Sequence, residues 1–281
     1  MLARVIAVAN QKGGVGKTTT AINLGAALAQ QNLQTLVVDC DPQANATAGL
    51  GFERDPARRS LYHGLLLDAP LESLILKTGL ESLLLIPSEK NLVGAVVELT
   101  EQPEREHLLR RKIAPLRERF DFILLDCPPA LDLLALNALV AADSVLMPVQ
   151  CEYFALEGVS GLLDTLTRIR RVHNSQLALE GILITMYDER TNLSHQVRDD
   201  LKDFFGAQVF QTVIPRNVRL AEAPSYGQPI FLYDPQCRGA ASYLELAREV
   251  INHDAKGLGA RAERASPGSR NRERRPRAGS R

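Results

Sequence analysis

The sequence predicts an α/β protein with a doubly wound, mostly parallel sheet flanked by helices on both faces. Short runs rich in Val, Ile and Leu alternate with longer segments of helical period, as in parallel sheets covered by helices. A glycine-rich loop separates the first run from the first helical segment, and acidic residues close two later runs. With 45% apolar residues among 281, the chain can bury a substantial core. We therefore expect one domain at residues 1–253.

The predicted elements alternate in chain order. Strands are predicted at residues 4–9, 35–39, 83–86, 122–126, 144–149, 181–185 and 208–213. Helices are predicted at residues 17–30, 92–99, 104–119, 131–141, 156–173, 194–205 and 240–253. The glycine-rich loop thus joins the first strand to the first helix.

The carboxyl-terminal segment differs in composition from the rest of the chain. Residues 254–281 hold nine Lys or Arg against three Asp or Glu, which leaves 24 basic and 30 acidic residues in residues 1–253. From residue 255 onward Leu258 is the only large aliphatic residue. Such a segment cannot offset its ordering entropy, so we expect a basic, disordered tail at 254–281. Its arginines are compatible either with added nonspecific affinity for DNA or with a role in solubility alone.

Composition also argues against several classes of function. The four cysteines form no C-x-x-C pair and the five histidines are scattered, which gives little support for disulfides or a structural metal site. The most apolar stretch, residues 122–149, is interrupted by three Asp and a Pro-Pro pair, whereas a membrane span needs about 20 mostly uncharged residues. The apolar run at the amino end is too short for a signal peptide. We expect a cytoplasmic protein.

Residues 10–19 read N-Q-K-G-G-V-G-K-T-T. The spacing K-G-G-x-G-K-T fits a phosphate-binding loop, in which backbone N–H groups and the following helix dipole surround an anion. Lys17 would bring its charge to the outer phosphates, and the Thr18 hydroxyl would ligate Mg²⁺. A turn that binds nothing is disfavoured by the Lys-Thr pair and by both flanking elements. The predicted nucleotide contacts here are Lys12, Gly13, Gly14, Val15, Gly16, Lys17, Thr18 and Thr19.

Carboxylates follow two of the predicted strands. V-V-D-C-D-P-Q places Asp39 and Asp41 at the end of the second strand, and I-L-L-D-C-P-P places Asp126 at the end of the fourth. Open α/β sheets bind ligands at the carboxyl ends of their strands. Asp126 resembles the Walker B carboxylate that orients a Mg²⁺-bound water, and an acid that only caps a turn is the alternative.

The additional lysine in the loop, Lys12, is absent from ordinary phosphate-binding loops. It occurs here together with K-G-G-V-G-K-T-T-T, D-C-D-P-Q-x-N-A-T, L-D-C-P-P, P-V-Q-C-E-Y-F-A-L-E-G, T-M-Y-D-E-R-T-N-L and I-P-R-N-V-R-L-A-E-A-P-S-Y-G-Q-P-I. These motifs cover almost all of residues 3–253. They resemble the ParA/Soj partitioning ATPases, members of the ParA/MinD superfamily of deviant P-loop ATPases.

The resemblance implies an ATP hydrolase that uses nucleotide as a dimerisation switch. In the family, the lysine that matches Lys12 reaches across an ATP sandwich dimer to the phosphates held by the other subunit. The carboxylate that matches Asp41 positions the attacking water. Lys12, Lys17 and Asp41 are therefore the predicted catalytic residues.

The resemblance also implies ATP and Mg²⁺ as cofactors. Thr18 and Asp126 would hold the metal, and Asp39 would support it through the Mg²⁺ water shell. The segment that contains Pro215 and Asn217 is expected near the adenine.

Arg190 and Arg219 match arginines that bind DNA without sequence preference in Soj-like proteins. Without the resemblance, they would be read as exposed loop or helix-end arginines. A dimer doubles such a patch, so double-stranded DNA should bind more tightly when ATP is bound. The expected protein partner is a ParB/Spo0J-like centromere-binding protein, whose basic amino-terminal segment stimulates hydrolysis, and the expected location is the nucleoid. Further cations that could extend the patch are Lys202, Arg216 and Arg238.

Two other functions share this phosphate chemistry. A MinD-like membrane-cycling ATPase needs an amphipathic carboxyl-terminal helix, whereas the segment after residue 253 is basic without an apolar face. An iron–sulfur reductase needs cysteines from both subunits at one cluster, whereas Cys127 is read more simply as a buried residue at a strand end.

Overall fold

A computed structural model describes residues 2–265 of the chain. Its strands, numbered in chain order, are β1 (Arg4–Val8), β2 (Thr35–Asp39), β3 (Leu76–Lys77), β4 (Leu83–Ile86), β5 (Phe122–Asp126), β6 (Ser144–Gln150), β7 (Ala178–Tyr187) and β8 (Val209–Pro215). They form one sheet in the order β3-β4-β2-β5-β1-β6-β7-β8. The strands pair in parallel, except that β3 is antiparallel to β4 at one edge.

The α-helices connect and cover these strands. They are α1 (Lys17–Ala29), α2 (Asn45–Gly49), α3 (Leu61–Leu66), α4 (Leu92–Glu98), α5 (Leu108–Ile113), α6 (Leu133–Ala141), α7 (Ala155–Val172), α8 (Asn192–Phe205), α9 (Val218–Glu222), α10 (Ile230–Tyr233) and α11 (Arg238–Ala265). Short 3₁₀ segments lie at Leu71–Leu74, Leu99–Glu101, Arg105–His107, Ala114–Glu118, Gly206–Gln208 and Ala223–Tyr226.

The core lies on both faces of the sheet, because successive strand residues point to opposite sides. In β1, Ile6 and Val8 pack with α1 and α11, whereas Val5 and Ala7 pack with α5 and α6. A third cluster joins β6, β7 and β8 to α7 and α8. The fold class predicted from the sequence, a doubly wound parallel sheet, is therefore confirmed.

All seven predicted strands are present, and β3 was missed because two residues carry no periodic signal.

The prediction of one helix at 104–119 was wrong. The segment is α5 flanked by 3₁₀ turns at Arg105–His107 and Ala114–Glu118. Pro115 stands in the first turn of the second 3₁₀ segment, and its missing N–H cannot continue the α-helical hydrogen-bond pattern.

The last helix is longer than predicted, because α11 starts at Arg238 and continues to Ala265. Residues 255–265 are rich in Ala, Arg, Lys and Glu, which favour helix. The remainder of the expected basic tail, residues 266–281, lies outside the described residues. Within the part of the chain that the structure describes, no helix combines the length and apolar character needed to cross a membrane.

Candidate nucleotide-binding site

The glycine-rich loop joins β1 to α1 at the carboxyl edge of the sheet. Gly14 and Gly16 have positive φ angles of 75° and 89°, which glycine adopts without strain. A Cβ placed on Gly13 or Gly14 would meet no atom within 4 Å. The loop is thus an open cradle in front of the amino end of α1, which suits an anion.

Two neighbouring strands hold this loop in place. The Asn10 amide donates to the carbonyl of Pro148 in β6 at 2.7 Å, and its side-chain oxygen accepts from the Lys12 N–H at 2.9 Å. From β7, the buried Thr185 hydroxyl donates to the Val15 carbonyl at 2.8 Å. Both ends of the loop are therefore fixed to the sheet before any ligand binds.

Lys17 lies largely buried at the start of α1. Its Nζ donates to the carbonyl oxygen of Lys12 at 2.9 Å, so the ammonium curls back into the loop. Burial lowers the pKa of Lys17, and the nearby carboxylates of Asp126 and Asp41 oppose this shift. Lys17 is thus a partly desolvated cation held inside the loop, and its contact with an outer phosphate stays a prediction.

Asp126 is fully buried at the end of β5. Among the described residues, neither of its carboxylate oxygens receives a hydrogen bond of normal geometry. Burial raises the pKa of Asp126 well above its usual range, and Asp39 raises it further, whereas the Thr18 hydroxyl lowers it. Buried carboxylates are normally paired or coordinate a metal, so Asp126 and Thr18 suit Mg²⁺.

Asp39 lies beside Asp126 in the sheet register and is equally buried. Its Oδ2 accepts from the Thr47 N–H at 2.8 Å and the Thr47 hydroxyl at 2.7 Å, and its Oδ1 accepts from the Asp41 N–H at 3.2 Å. The Thr47 hydroxyl in turn accepts from the Ser88 N–H. Asp39 therefore fixes the segment that carries Asp41, and its contribution to a metal's water shell stays a prediction.

Asp41 is the second carboxylate of this segment and is mostly buried. Its Oδ1 accepts from the Gln43 N–H at 2.9 Å, which turns the chain into α2. The charge of Asp41 raises the pKa values of both Lys17 and Asp126. Three of the side chains that the sequence assigned to catalysis and metal binding, those of Lys17, Asp41 and Asp126, are thus close to one another.

Among the side chains that the structure describes, no three of His, Cys, Asp or Glu form a metal-binding group. The pair of Asp126 and Thr18 is compatible with Mg²⁺, which proteins usually hold with one or two side chains, several waters and the phosphates of a substrate.

Lys12 has a partner that the sequence did not predict. Its Nζ forms an ion pair with Glu152, which follows β6, and both side chains are about half exposed. Next to it, the Gln11 amide donates to the Thr165 hydroxyl of α7 at 3.1 Å. In the single chain, therefore, Lys12 is held against its own β6–α7 connection.

Arg190 and Arg219 both lie on the surface beyond adjacent strands. Arg190 makes two side-chain hydrogen bonds to Asp188, at 2.9 and 2.8 Å, and lowers the pKa of that carboxyl well below its usual range. Arg219 contacts Glu222 at 3.0 Å and Asp234 at 3.4 Å. Each arginine thus already faces a carboxylate of its own chain.

A hollow of about 310 Å³ opens between the ends of β7 and β8. The Arg238 guanidinium donates to Glu189 at 2.9 Å across it. Lys202, on α8, is not among the residues that line it. The lining residues are Tyr187, Asp188, Glu189, Arg190, Pro215, Arg216 and Arg238.

The segment expected near the adenine follows β8 directly. Pro215 is the last residue of that strand, in register with Tyr187 of β7. The Asn217 side-chain oxygen caps α9 by accepting from the N–H groups of Arg219 and Leu220, at 2.8 and 3.3 Å. The role of Pro215 and Asn217 in nucleotide binding stays a prediction.

A protein-family model described as "AAA domain" matches residues 3–179 of the chain. Over 251 residues, the chain is 51% identical to the chromosome partitioning protein ParA of Myxococcus xanthus, and the match covers 89% of each chain. The chain belongs to the ParA/Soj family of partitioning ATPases. It is also 51% identical to the sporulation initiation inhibitor protein Soj of Bacillus subtilis, with 89% of this chain and 98% of Soj covered.

A solved structure similar to this ParA/Soj chain is described as cobyrinic acid a,c-diamide synthase from Mycobacterium smegmatis with bound ATP analogue and magnesium. It is 38% identical, with a TM-score of 0.80, and the match covers 91% of this chain and 97% of that one.

Sequence reasoning missed three residues that shape the site. Glu152 and Thr185 stand inside or beside motifs quoted for the ParA/Soj resemblance, and Asn10 precedes the loop, but nothing in their spacing indicates a contact. Their partners are 140, 170 and 138 residues away in the chain. Only the order of strands in the sheet brings these side chains to the loop.

Proposed function

We propose that this chain is an Mg-ATP-dependent switch that segregates DNA. In this cycle it binds ATP, forms a sandwich dimer, binds double-stranded DNA without sequence preference, and is released when a ParB-like partner stimulates hydrolysis. The buried Asp126 carboxylate is the observation that carries the proposal. Its oxygens find no hydrogen bond of normal geometry within residues 2–265, although it lies beside Lys17 and Thr18 of the phosphate loop.

The residues present fit Mg-ATP. The amides of Gly13, Gly14 and Gly16 would hold the phosphates, with the charge of Lys17 close to them. Thr18 and Asp126 would hold Mg²⁺, with Asp39 supporting its water shell. When bound, Mg²⁺ neutralises phosphate charge and so favours attack by water.

The remaining loop contacts, Val15 and Thr19, would complete the cradle, and Pro215 and Asn217 would flank the adenine. Asp41 would orient the attacking water. It lies near Lys17, and the Asp39 carboxylate holds its backbone N–H in place. Hydrolysis then depends on positioning and charge rather than on a covalent step.

Dimerisation would be controlled by Lys12. Two copies of this cationic loop repel each other when they face one another, unless a polyphosphate lies between them. The Lys12–Glu152 pair is half exposed, and such pairs contribute only about 0–1 kcal/mol. Lys12 can therefore exchange Glu152 for the phosphates of a second copy at little cost.

DNA binding would involve Arg190 and Arg219, whose side chains are 86% and 55% exposed. Each would exchange a carboxylate of its own chain for a DNA phosphate. This exchange keeps the affinity of one copy low, and a dimer engages two patches at once. We therefore propose a cytoplasmic protein that associates with the nucleoid only while ATP is bound, with a ParB/Spo0J-like protein as its partner.

The cycle is tested by size-exclusion chromatography with light scattering, in Mg-ATP with and without DNA. We expect Lys17→Ala to lose productive ATP binding, Lys12→Ala to bind ATP as a monomer, and Asp41→Ala to accumulate as a DNA-bound dimer. Lys77→Ala, which changes an exposed lysine on β3 at the sheet edge, should behave like the wild type. A monomeric, DNA-free Asp41→Ala protein would refute the role given to Asp41.

A further inference from the structure

The last helix, α11, begins at the carboxyl ends of the strands. Its first residue, Arg238, donates to Glu189 at 2.9 Å just beyond the end of β7 and lines the same hollow as Arg190. A Cβ on Gly239 would lie 2.7 Å from a side chain of α9, the helix that carries Arg219. The start of α11 is therefore beside the two arginines that are proposed to bind DNA.

The same helix reaches the amino ends of the strands. Arg4, at the start of β1, donates to the Val250 carbonyl at 2.9 Å. Glu249 accepts from the N–H groups of Gln211 and Thr212, near the start of β8, at 2.7 and 3.1 Å. The helix thus runs antiparallel to the strands and crosses the whole height of the sheet.

A buried carboxylate strengthens this second attachment. Glu180, near the start of β7, pairs with Arg4 and accepts from the Ser144 hydroxyl at 2.7 Å. The Nδ1 atom of His253 lies 3.5 Å from the other oxygen of Glu180, and the His253 ring stacks on Phe210 with centroids 5.4 Å apart. The chain therefore leaves the folded domain at a defined place, on the side opposite Arg190 and Arg219.

The segment that follows α11 is strongly basic. Residues 266–281, which lie outside the described residues, contain six Arg, one Glu and no large aliphatic or aromatic residue. Protein interfaces and membrane-bound helices bury apolar anchors, which this segment lacks. Guanidinium groups pair strongly with phosphate oxygens. The composition therefore favours the phosphate backbone of DNA, the polyanion already proposed at the other end of α11.

The length of α11 separates this segment from the first DNA surface. A helix of 28 residues spans roughly 40 Å at about 1.5 Å per residue. Four of the six arginines lie at residues 270–275, within ten residues of Ala265, and ten residues extend over at most about 35 Å. These four arginines cannot reach back to the level of Arg238, so the DNA segment that they contact is a different one.

We propose that residues 266–281 bind the backbone of a second segment of double-stranded DNA, so that one molecule bridges two segments. The inference rests on the proposed binding of DNA by Arg190 and Arg219, and it adds a contact that is independent of nucleotide. One patch of this kind binds only weakly at physiological salt. ATP therefore still decides whether the chain stays on DNA, and the basic segment decides whether a second duplex joins the first.

A bridging assay tests the proposal on the full chain. One duplex is fixed on beads, and capture of a second, fluorescent duplex is measured in Mg²⁺ with a non-hydrolysable ATP analogue. A variant with glutamine in place of all six arginines should capture at least tenfold less, yet dimerise and bind the bead duplex. Lysine at the same positions keeps the charge, is the matched control and should capture close to the wild-type level. The substituted residues are Arg270, Arg272, Arg274, Arg275, Arg277 and Arg281.

A second measurement separates the two DNA contacts. Without nucleotide and at low salt, Arg190→Glu/Arg219→Glu should retain one duplex weakly, and the added glutamines should abolish that retention. With the analogue, Arg190→Glu/Arg219→Glu should lose capture of the second duplex.

Four results would contradict these proposals. Undiminished capture by the glutamine variant would overturn the inference, and so would a wild type that binds the bead duplex without capturing another. Binding of the six arginines to phosphatidylserine vesicles in preference to DNA would assign the segment to a membrane and also overturn it. A wild type that binds no duplex with the analogue would overturn the proposed DNA-binding function itself.

Discussion

Asp39 and Asp126 are adjacent carboxylates at the ends of β2 and β5. Both are fully buried, but only Asp39 is well supplied with hydrogen-bond donors. Burial raises the pKa of Asp39 to about 6 in spite of its bonds from Thr47, and the pKa of Asp126 is raised well above its usual range. The nucleotide-free protein therefore disfavours the ionised form of both carboxyls, and a bound cation would offset this penalty.

Asp126→Asn should stabilise the nucleotide-free chain at neutral pH, by on the order of 1–3 kcal/mol, because it removes a buried carboxyl that ionises readily only in the unfolded state. The raised pKa means that the native state holds protons that the unfolded state has lost, so the wild type loses stability as pH rises above about 4. Below that pH, both Asp126 and its replacement are neutral. The gain of the variant should therefore be small at pH 4 and grow towards neutral pH.

Urea unfolding in EDTA from pH 4 to pH 8 measures this difference. Asp121→Asn provides a control at an exposed carboxylate on the opposite edge of the sheet, before β5, and its effect should not show the same rise with pH. An Asp126→Asn protein that is less stable than the wild type at pH 7 would contradict the account.

At the scale of elements, the phosphate loop is held by strands rather than by its own residues. Asn10 ties its start to β6, and Thr185 ties the Val15 carbonyl to β7. A Cβ on Gly16 would lie 3.8 Å from the Thr185 side chain, which is ordinary contact, so the positive φ of Gly16 is what requires glycine there. The rigidity of the loop is thus a property of the β1, β6 and β7 order.

Thr185→Val should destabilise the chain by about 1–2 kcal/mol, because it leaves the Val15 carbonyl without its donor inside the protein. The same change should weaken nucleotide binding by releasing the loop. Thr185→Ser, which keeps the hydroxyl, is the matched control and should bind nucleotide close to the wild-type level. Urea unfolding and titration with a fluorescent ATP analogue measure the two effects, and equal nucleotide affinity of the Val and Ser variants would contradict the role of this bond.

At the scale of the whole molecule, the candidate nucleotide site and the candidate DNA surface both lie at the carboxyl ends of the strands. The loop follows β1, and the segments with Arg190 and Arg219 follow β7 and β8. The formal charge of the chain is zero, so net charge cannot draw it to DNA. Attraction must come from local cations that are released from their own carboxylates.

Arg190→Glu and Arg219→Glu should each dimerise normally with Mg-ATP yet fail to retain DNA at salt concentrations at which the wild type retains it. Because a dimer carries two copies, loss of one arginine should also reduce the slope of log affinity against log salt by about 2. Arg171→Glu, an exposed arginine at the far end of α7, is the matched control. Filter-binding across a salt series measures both quantities, and wild-type DNA retention by both variants would refute this surface.

Much of the fold could be predicted from the sequence because its cues are local. The strands at 35–39, 83–86 and 122–126 were predicted at their observed bounds, since buried parallel strands are continuous apolar runs. The prediction of one helix at 104–119 was wrong because Pro115 interrupts the segment, although its apolar spacing alone resembles that of one helix. The two-residue β3 forms only because β4 is there to pair with it.

The sequence by itself determined the phosphate loop, the acidic strand ends and the ParA/Soj family, because the motif that indicates each one is a short run of contiguous residues. Only the tertiary structure decided what those residues touch. It bonds Asp39 to Thr47, leaves Asp126 without a bond of normal geometry, and holds Lys12 against Glu152. The reason is that hydrogen bonds and burial depend on distances in space, and the sheet brings to the loop groups that are 138 and 170 residues away in the chain.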